Sequence, residues 1–402
     1  MSQSGGRQPS LNLRGGFYTE DHEAYRASVR EFVRREVEPH HLDWEEERLV
    51  PRSAWQAAGR NGIIGLAVPE EFGGGGEPDF RYPMIVAEEL AAIGASSYCL
   101  GLRLQDDIVL PYLLDLCTDE QKQRWLPGAV SGDLVLAIAM TEPGAGSDLQ
   151  GIRATAVRDG DSWVLNGQKT FITNGINADL VIVFAKTDPD AGSRGYSLFV
   201  VERDDPGFSR GRKLDKVGLA GQDTAELVFE DVRVRPENVL GEIGQGLIYL
   251  MQRLPKERLS LAAQALAGAE AALAWTEDYV FDREAFGKRI GDLQATRFEL
   301  ADIETEVEMT RAYIQNAALA LNEHTLTTAE ASKAKLWATE MQVRVTSRCL
   351  QLFGGYGFMN EYPIGRAYRD CRVQTIYGGT SQIMKEIIGR DIAGRYAKDA
   401  TR

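Results

Sequence analysis

The spacing of hydrophobic residues changes twice along this chain, and that switch constrains its fold more than any other feature. From about residue 19 to 130 apolar residues recur at helical intervals. From about 131 to 240 they fall in short β-branched runs, and from about 243 the helical interval returns. A period of 3.6 buries one stripe of a helix, whereas a period of 2 buries one face of a sheet. A chain that switches between them builds separate layers. The expected fold class is therefore α+β and multidomain. An N-terminal all-α domain (17–130) precedes a middle antiparallel β domain (131–240), a small barrel or sandwich, and a C-terminal four-helix bundle (241–402) follows. Residues 1–16 read as a polar, disordered tail.

Local signals agree with this division. "DHEAYRASVREFVRREV" puts Tyr25, Val29, Phe32, Val33 and Val37 at helical intervals behind a Thr19 cap, and Thr118 caps "TDEQKQRWL". In the middle region, Asp159-Gly160 and Asn166-Gly167 read as hairpin turns. The last third holds three long alanine- and leucine-rich helical patterns.

Composition excludes several functions. A net charge of −14 argues against general affinity for nucleic acid or anionic membrane. Four cysteines and four histidines are scattered without zinc-type spacing, which predicts a reduced, cytoplasmic protein with no protein-bound metal. The pair His40-His41 reads as a solvated helix end. No apolar run reaches transmembrane length, and the N-terminus lacks the apolar core of a secretory signal.

Chemistry concentrates at the transitions. "AMTEPGAGSD" leaves a strand for a glycine-rich turn and offers Thr141, Ser147 and backbone N–H groups; alone it is a hairpin turn. "FITNG" offers the ring of Phe171 and the hydroxyl of Thr173, although a lone Phe in a strand is more often core. "DREAFGKRIGDLQ" carries Arg283, Phe286 and Gln294, and by itself reads as a solvated loop. "QLFGGYGFMNEYPIGRAYRD" ends a helix on Gly354-Gly355. "IYGGTSQ" lies between a strand-like run and a helical pattern. Its Gly378-Gly379 pair is either a flexible lead-in or a place where backbone approaches a ligand. "LPKERLSLA" includes a Lys256/Glu257/Arg258 cluster, which alone would be a solvated face.

Together these strings resemble the acyl-CoA dehydrogenase family, from about residue 19 to 395. The resemblance implies FAD, with Ile138, Met140, Thr141, Ser147, Phe171 and Thr173 around the flavin. Arg283, Phe286, Gln294, Gln351, Gly354 and Gly355 would grip the cofactor across a subunit interface, and Thr380 and Gln382 would complete its site. Ser147, Arg258, Tyr377, Gly378 and Gly379 would meet the acyl-CoA.

The sequence departs from most of the family at Gly378, where those members carry the glutamate that abstracts the substrate α-proton. Glycine accepts no proton. A second branch, the long-chain and isovaleryl types, carries its base on the first bundle helix, and "LPKERL" matches that pattern at Glu257-Arg258. The helical face from Glu257 through Leu261, Gln264, Ala265 and Gly268 is mostly small or apolar. A carboxylate there is desolvated and its pKa rises, as a general base requires.

The implied reaction is α,β-dehydrogenation of a medium-chain, long-chain or branched acyl-CoA in fatty-acid catabolism. Electron-transferring flavoprotein would be the acceptor and a homotetramer, a dimer of dimers, the assembly. The alternatives are an acyl-CoA oxidase or flavin monooxygenase-like relative, a dehydrogenase of acyl-carrier-protein thioesters, and a flavin-bound binding protein without activity.

Overall fold

The computed structural model describes residues 16–399; all but the last residue of the expected tail lies outside them. Seven α-helices among the described residues form the N-terminal region, from Glu20–Phe32 to Asp119–Ser131. Val29, Phe32, Val33 and Val37 are buried there and Tyr25 is partly so. The Thr118 hydroxyl accepts from the Gln121 N–H, as its capping position predicts. His40 precedes the helix His41–Glu47, but His41 itself is buried rather than solvated. Burial first, and then Arg366, push its pKa down to about 4. Helices Ser96–Arg103 and Leu110–Leu116 are joined without a break by a π-turn, Leu104–Val109. Such turns change which residues share a helix face.

The middle region is one sheet of eight strands. These are β1 (Leu136–Ala139), β2 (Thr155–Asp159), β3 (Ser162–Thr173), β4 (Leu180–Lys186), β5 (Tyr196–Glu202), β6 (Phe208–Lys213), β7 (Thr224–Val234) and β8 (Val239–Leu240). Their order is β6-β7-β3-β2-β4-β5-β8, with β1 beside β4. Two pairings, β1 with β4 and β2 with β4, are parallel, which departs from the all-antiparallel expectation. The connections to β4 are long enough for a crossover, and hydrophobic spacing carries no information on strand direction. Strand β4 shows why its sequence is apolar throughout. Val181, Val183 and Ala185 pack inside the sheet, while Leu180, Ile182 and Phe184 pack on the N-terminal helices.

Asp159-Gly160 does turn between β2 and β3, but Asn166-Gly167 does not turn. It lies inside β3 at a break in register with β7. A Cβ on Gly167 would lie 2.6 Å from the Ala154 Cβ, so the dipeptide marks close strand contact rather than a hairpin.

Four long helices build the C-terminal bundle: Gly246–Asp282, Gln294–Asn322, Thr328–Phe353 and Ser381–Asp399. The strand-like run before "IYGGTSQ" is a 3₁₀ turn, Cys371–Thr375. No described helix is long and apolar enough to cross a membrane. No described cluster of His, Cys, Asp or Glu has the arrangement of a metal site.

Candidate active site

Glu257 lies near the start of the first bundle helix, two residues after Pro255, and is only 6% exposed. The solvated-cluster alternative therefore fails. Its Oε1 accepts a hydrogen bond of 2.9 Å from the Tyr112 hydroxyl. Arg253, one turn earlier, holds its guanidinium 5.0 Å from the Tyr112 ring centre and donates to Asp115 at 3.0 Å. Burial pushes the Glu257 pKa up to about 7, against the lowering pull of Tyr112, Arg258 and Arg253. The carboxyl is thus poised to take and release a proton near neutrality. Tyr112→Phe removes the bond that favours the charged form. The expected outcome is an acidic limb of the pH–rate profile shifted to higher pH, with the alkaline plateau nearly kept. Steady-state rates between pH 5 and 9 check this, and an unmoved limb would show that Tyr112 does not set the ionisation.

Opposite this helix lies the Gly378-Gly379 turn. Gly378 has φ +61° and Gly379 φ +96°, both in the region glycine adopts freely. A Cβ on Gly378 would stand 2.2 Å from Leu261 Cδ1. Leu261 is one turn beyond Glu257, so glycine here leaves room for a side chain of the very helix that carries the carboxylate. The turn is held from behind by Lys335, whose buried Nζ donates to the Gly379 carbonyl at 2.6 Å. Burial, then Arg258, lower the Lys335 pKa to about 8. Arg258 is 3% exposed and donates to the Ser332 hydroxyl at 3.3 Å. It points into the bundle, so its place is behind the site rather than in solvent. Tyr377 is half-buried and lines a cavity described below.

The strand ends form a second group of candidates. Ile138 is buried in β1, Met140 and Thr141 follow it half-buried, and Ser147 is exposed on the loop. Lys169 clamps this loop. Its Nζ donates to the Met140 carbonyl and to Glu142 Oε1, both at 2.9 Å. Glu142 in turn accepts from the N–H groups of Arg153 and Ala154. Phe171 overturns the core alternative: it is 67% exposed and has φ +60°. A bulky residue in that region is strained, and such strain persists where a site needs it. The register break between Lys169 and Ile172 turns its ring off the sheet, while Thr173 remains half-buried opposite Thr224.

The remaining candidates lie in two places. Arg283, Phe286, Gln294, Gln351, Gly354 and Gly355 are exposed. Phe286 is 93% exposed at φ +55°, and Arg283 lies 5.7 Å from the Tyr356 ring centre. Added Cβ atoms on Gly354 or Gly355 would meet nothing within 4 Å, so this backbone is open to a ligand. Thr380 caps the last bundle helix by accepting from the Ile383 N–H at 3.3 Å, and Gln382 is exposed beside it. Between Glu257 and Arg283 the first bundle helix advances about 39 Å at ~1.5 Å per residue. Arg283 and the groups beside it are therefore far from Glu257 within one chain, whereas Thr380 and Gln382 directly follow the glycine turn.

Three family models account for nearly all of this architecture. They are the N-terminal (residues 19–133), middle (137–232) and C-terminal (244–393) domains of acyl-CoA dehydrogenase. The chain belongs to the acyl-CoA dehydrogenase family. The long-chain specific acyl-CoA dehydrogenase, mitochondrial, of Sus scrofa is 47% identical over 93% of this chain and 87% of its own length. The caffeyl-CoA reductase–Etf complex subunit CarC of Acetobacterium woodii is 38% identical over 92% of this chain and 98% of its own. Among solved structures, the acyl-CoA dehydrogenase of Geobacillus kaustophilus has a TM-score of 0.91 at 49% identity, covering 93% of this chain and 98% of that one. A glutaryl-CoA dehydrogenase of Mycobacterium smegmatis in complex with FADH2 has a TM-score of 0.88 at 28% identity, covering 94% and 96%.

Several residues of this acyl-CoA dehydrogenase site carry no local signal in the sequence. Tyr112 lies 145 positions from Glu257, and nothing local points from one to the other. Lys335 is likewise joined to Gly379 only by the fold. Arg253 was within reach, because an i, i+4 cation beside a candidate carboxylate is legible on any helix. Lys169 also left a trace, as a charged residue inside a strand that must face somewhere buried.

Proposed function

We propose that this enzyme of the acyl-CoA dehydrogenase family oxidises the α,β-bond of an acyl-CoA thioester with Glu257 as the base. Support comes first from one observation. The sole carboxylate on the face of the first bundle helix that meets the Gly378 turn is buried, with a pKa near 7. Tyr112 occupies Glu257 Oε1, which leaves Oε2 for the α-proton. The Gly378 N–H donates to the thioester carbonyl, stabilising charge that develops as the proton leaves. Lys335 keeps the turn in place through the Gly379 carbonyl, and Arg258 backs the helix.

FAD is the cofactor. The group at the ends of β1 and β3 suits its ring system, with an exposed aromatic face at Phe171, the hydroxyls of Thr141 and Thr173, and a clamped backbone at Met140. The far group, with the Arg283 guanidinium and the open Gly354-Gly355 backbone, suits its pyrophosphate and adenosine. FAD bound there supplies the acceptor for the β-hydrogen, which leaves as hydride.

The distance along the first bundle helix supports a shared site, in which Arg283, Phe286, Gln294 and Gln351–Gly355 of one subunit serve the cofactor of another. A homotetramer, a dimer of dimers, follows from that reading. The likeness to an Etf-complex subunit supports electron-transferring flavoprotein as acceptor. Likeness to a long-chain enzyme supports a medium to long acyl chain. Four free, buried cysteines support a reducing compartment, the cytoplasm.

Anaerobic titration of the yellow protein with acyl-CoA thioesters of graded length tests the function. Bleaching of the oxidised flavin band, with FAD released by acid and a tetramer by light scattering, is the expected result. FMN alone, a cofactor-loaded monomer, or a flavin that no thioester reduces would overturn it.

A further inference from the structure

Beyond Leu261, the face of the first bundle helix that carries Glu257 borders a narrow cavity of about 40 Å³. Gln264 and Gly268 of that face line it, together with Tyr377, the residue before the glycine turn. Gln264 is about 10 Å and Gly268 about 16 Å from Glu257 along the helix, at ~1.5 Å per residue. Part of the lining is apolar, from Ala87, Ala91, Leu100 and Leu219, and Asp370, which accepts from the Leu219 N–H, also lines it. A cavity meant for hydrocarbon alone would be apolar throughout, because every buried polar group left without a partner carries a penalty.

Two buried amides in the lining break that rule. Gln342, on the third bundle helix, is 6% exposed, and Gln374, in the 3₁₀ turn before the glycines, is 9% exposed. Both line the cavity, and the Oε1 of each has no hydrogen-bond partner in the protein. Gln342 is also given its place by a missing side chain: its Nε2 lies 2.2 Å from where a Gly268 Cβ would stand. Gly268 thus clears a notch in the helix for this amide. Gln264 is engaged differently, donating from Nε2 to the Ser260 hydroxyl and carbonyl. Two buried amides with unused hydrogen-bonding capacity therefore line this narrow cavity.

We propose that the far half of this cavity is a subsite for an acyl chain carrying a hydroxyl group remote from the thioester, read by Gln342 and Gln374. A hydroxyl both donates and accepts, so it meets either end of an amide. The inference rests on the assignment of Glu257 and the Gly378 turn as the acyl-CoA site. It adds a polar specificity determinant to that site. A site built to bond a hydroxyl discriminates against the chain that lacks it, since the amides are then buried without partners.

The test compares plain acyl-CoA thioesters with their ω-hydroxy counterparts over medium and long chain lengths. Two readouts are taken on the FAD-loaded protein: kcat/KM, and equilibrium affinity by calorimetry on Glu257→Gln, which does not turn over. At the length that brings the hydroxyl to the amides, the ω-hydroxy thioester is favoured roughly 10-fold or more in both. Gln342→Met and Gln374→Met keep side-chain length and remove the bonding groups, and each lowers that ratio toward one. A ratio of one or less at every length in the wild-type protein overturns the subsite, whether or not the variants fold. If plain thioesters reduce the flavin well without any preference, the subsite alone falls. Should no thioester reduce the flavin while ω-hydroxy thioesters still bind more tightly, the subsite stands and the dehydrogenase reading falls.

Discussion

Glu257→Gln is expected to yield a folded, FAD-loaded protein that binds acyl-CoA and reduces its flavin roughly 10²–10⁴-fold more slowly than wild type. Glutamine keeps an oxygen for the Tyr112 hydroxyl and loses only the ability to take a proton. Stopped-flow absorbance of the oxidised flavin band measures the step, and a variant as fast as wild type would remove Glu257 from the mechanism. The wild-type rate should rise with pH and level off above about 7, where the carboxylate is ionised.

The same substitution should stabilise the protein, and the sign follows from the direction of the shift. The folded state holds the Glu257 proton up to about 7, whereas the ordinary value is 4.5. Below 4.5 the group is protonated folded or unfolded and costs nothing. Between 4.5 and about 7 the unfolded chain ionises while the folded carboxyl stays protonated, so a cost builds up that levels off at about 3 kcal/mol once the folded group ionises too. Glu257→Gln therefore melts above wild type at pH 8, and the gap shrinks toward pH 5. A pH-independent gap would mean that ionisation is not its source. Gain of stability with loss of activity is what a strained catalytic group produces.

Moving the base is the second large effect. Gly378→Glu in the wild-type background should lower activity more than about tenfold. Two carboxylates in one pocket raise each other's pKa, and the new side chain fills acyl space. Its Cβ would also meet Leu261 Cδ1 at 2.2 Å, and non-glycine residues at φ +61° are strained by roughly 1 kcal/mol. The clash is with the end of a flexible side chain, which can be removed. Glu257→Gln/Leu261→Ala/Gly378→Glu should recover about tenfold or more of the flavin-reduction rate lost in Glu257→Gln/Leu261→Ala. No recovery, with FAD content and acyl-CoA binding intact, would show that the two positions do not reach the same α-carbon.

How much of this was legible in the sequence depends on the range of the interaction. The helices and their caps follow from spacing over a few residues, so Val29 through Val37 and Thr118 behave as read. Gly378 and Glu257 were legible as a pair only because one position lacks what the other supplies. Asn166-Gly167 misled because a turn dipeptide and a strand bulge ask for the same small residue. Strand direction at β4 was hidden because pleating is identical in parallel and antiparallel pairs. Tyr112 and Lys335 were invisible because their partners lie on other elements. Phe171 is the instructive case: a lone Phe in a strand reads as core, yet its backbone and exposure show that the protein presents it outward.

The length of the first bundle helix has a consequence for how this protein is handled. If Arg283 of one chain completes the cofactor site of another, dissociation of subunits and release of FAD are a single equilibrium. Its position then depends on protein concentration, and added FAD holds the assembly together by mass action. Colour, quaternary structure and resistance to heat would fade together on dilution, each reporting the same thermodynamic event.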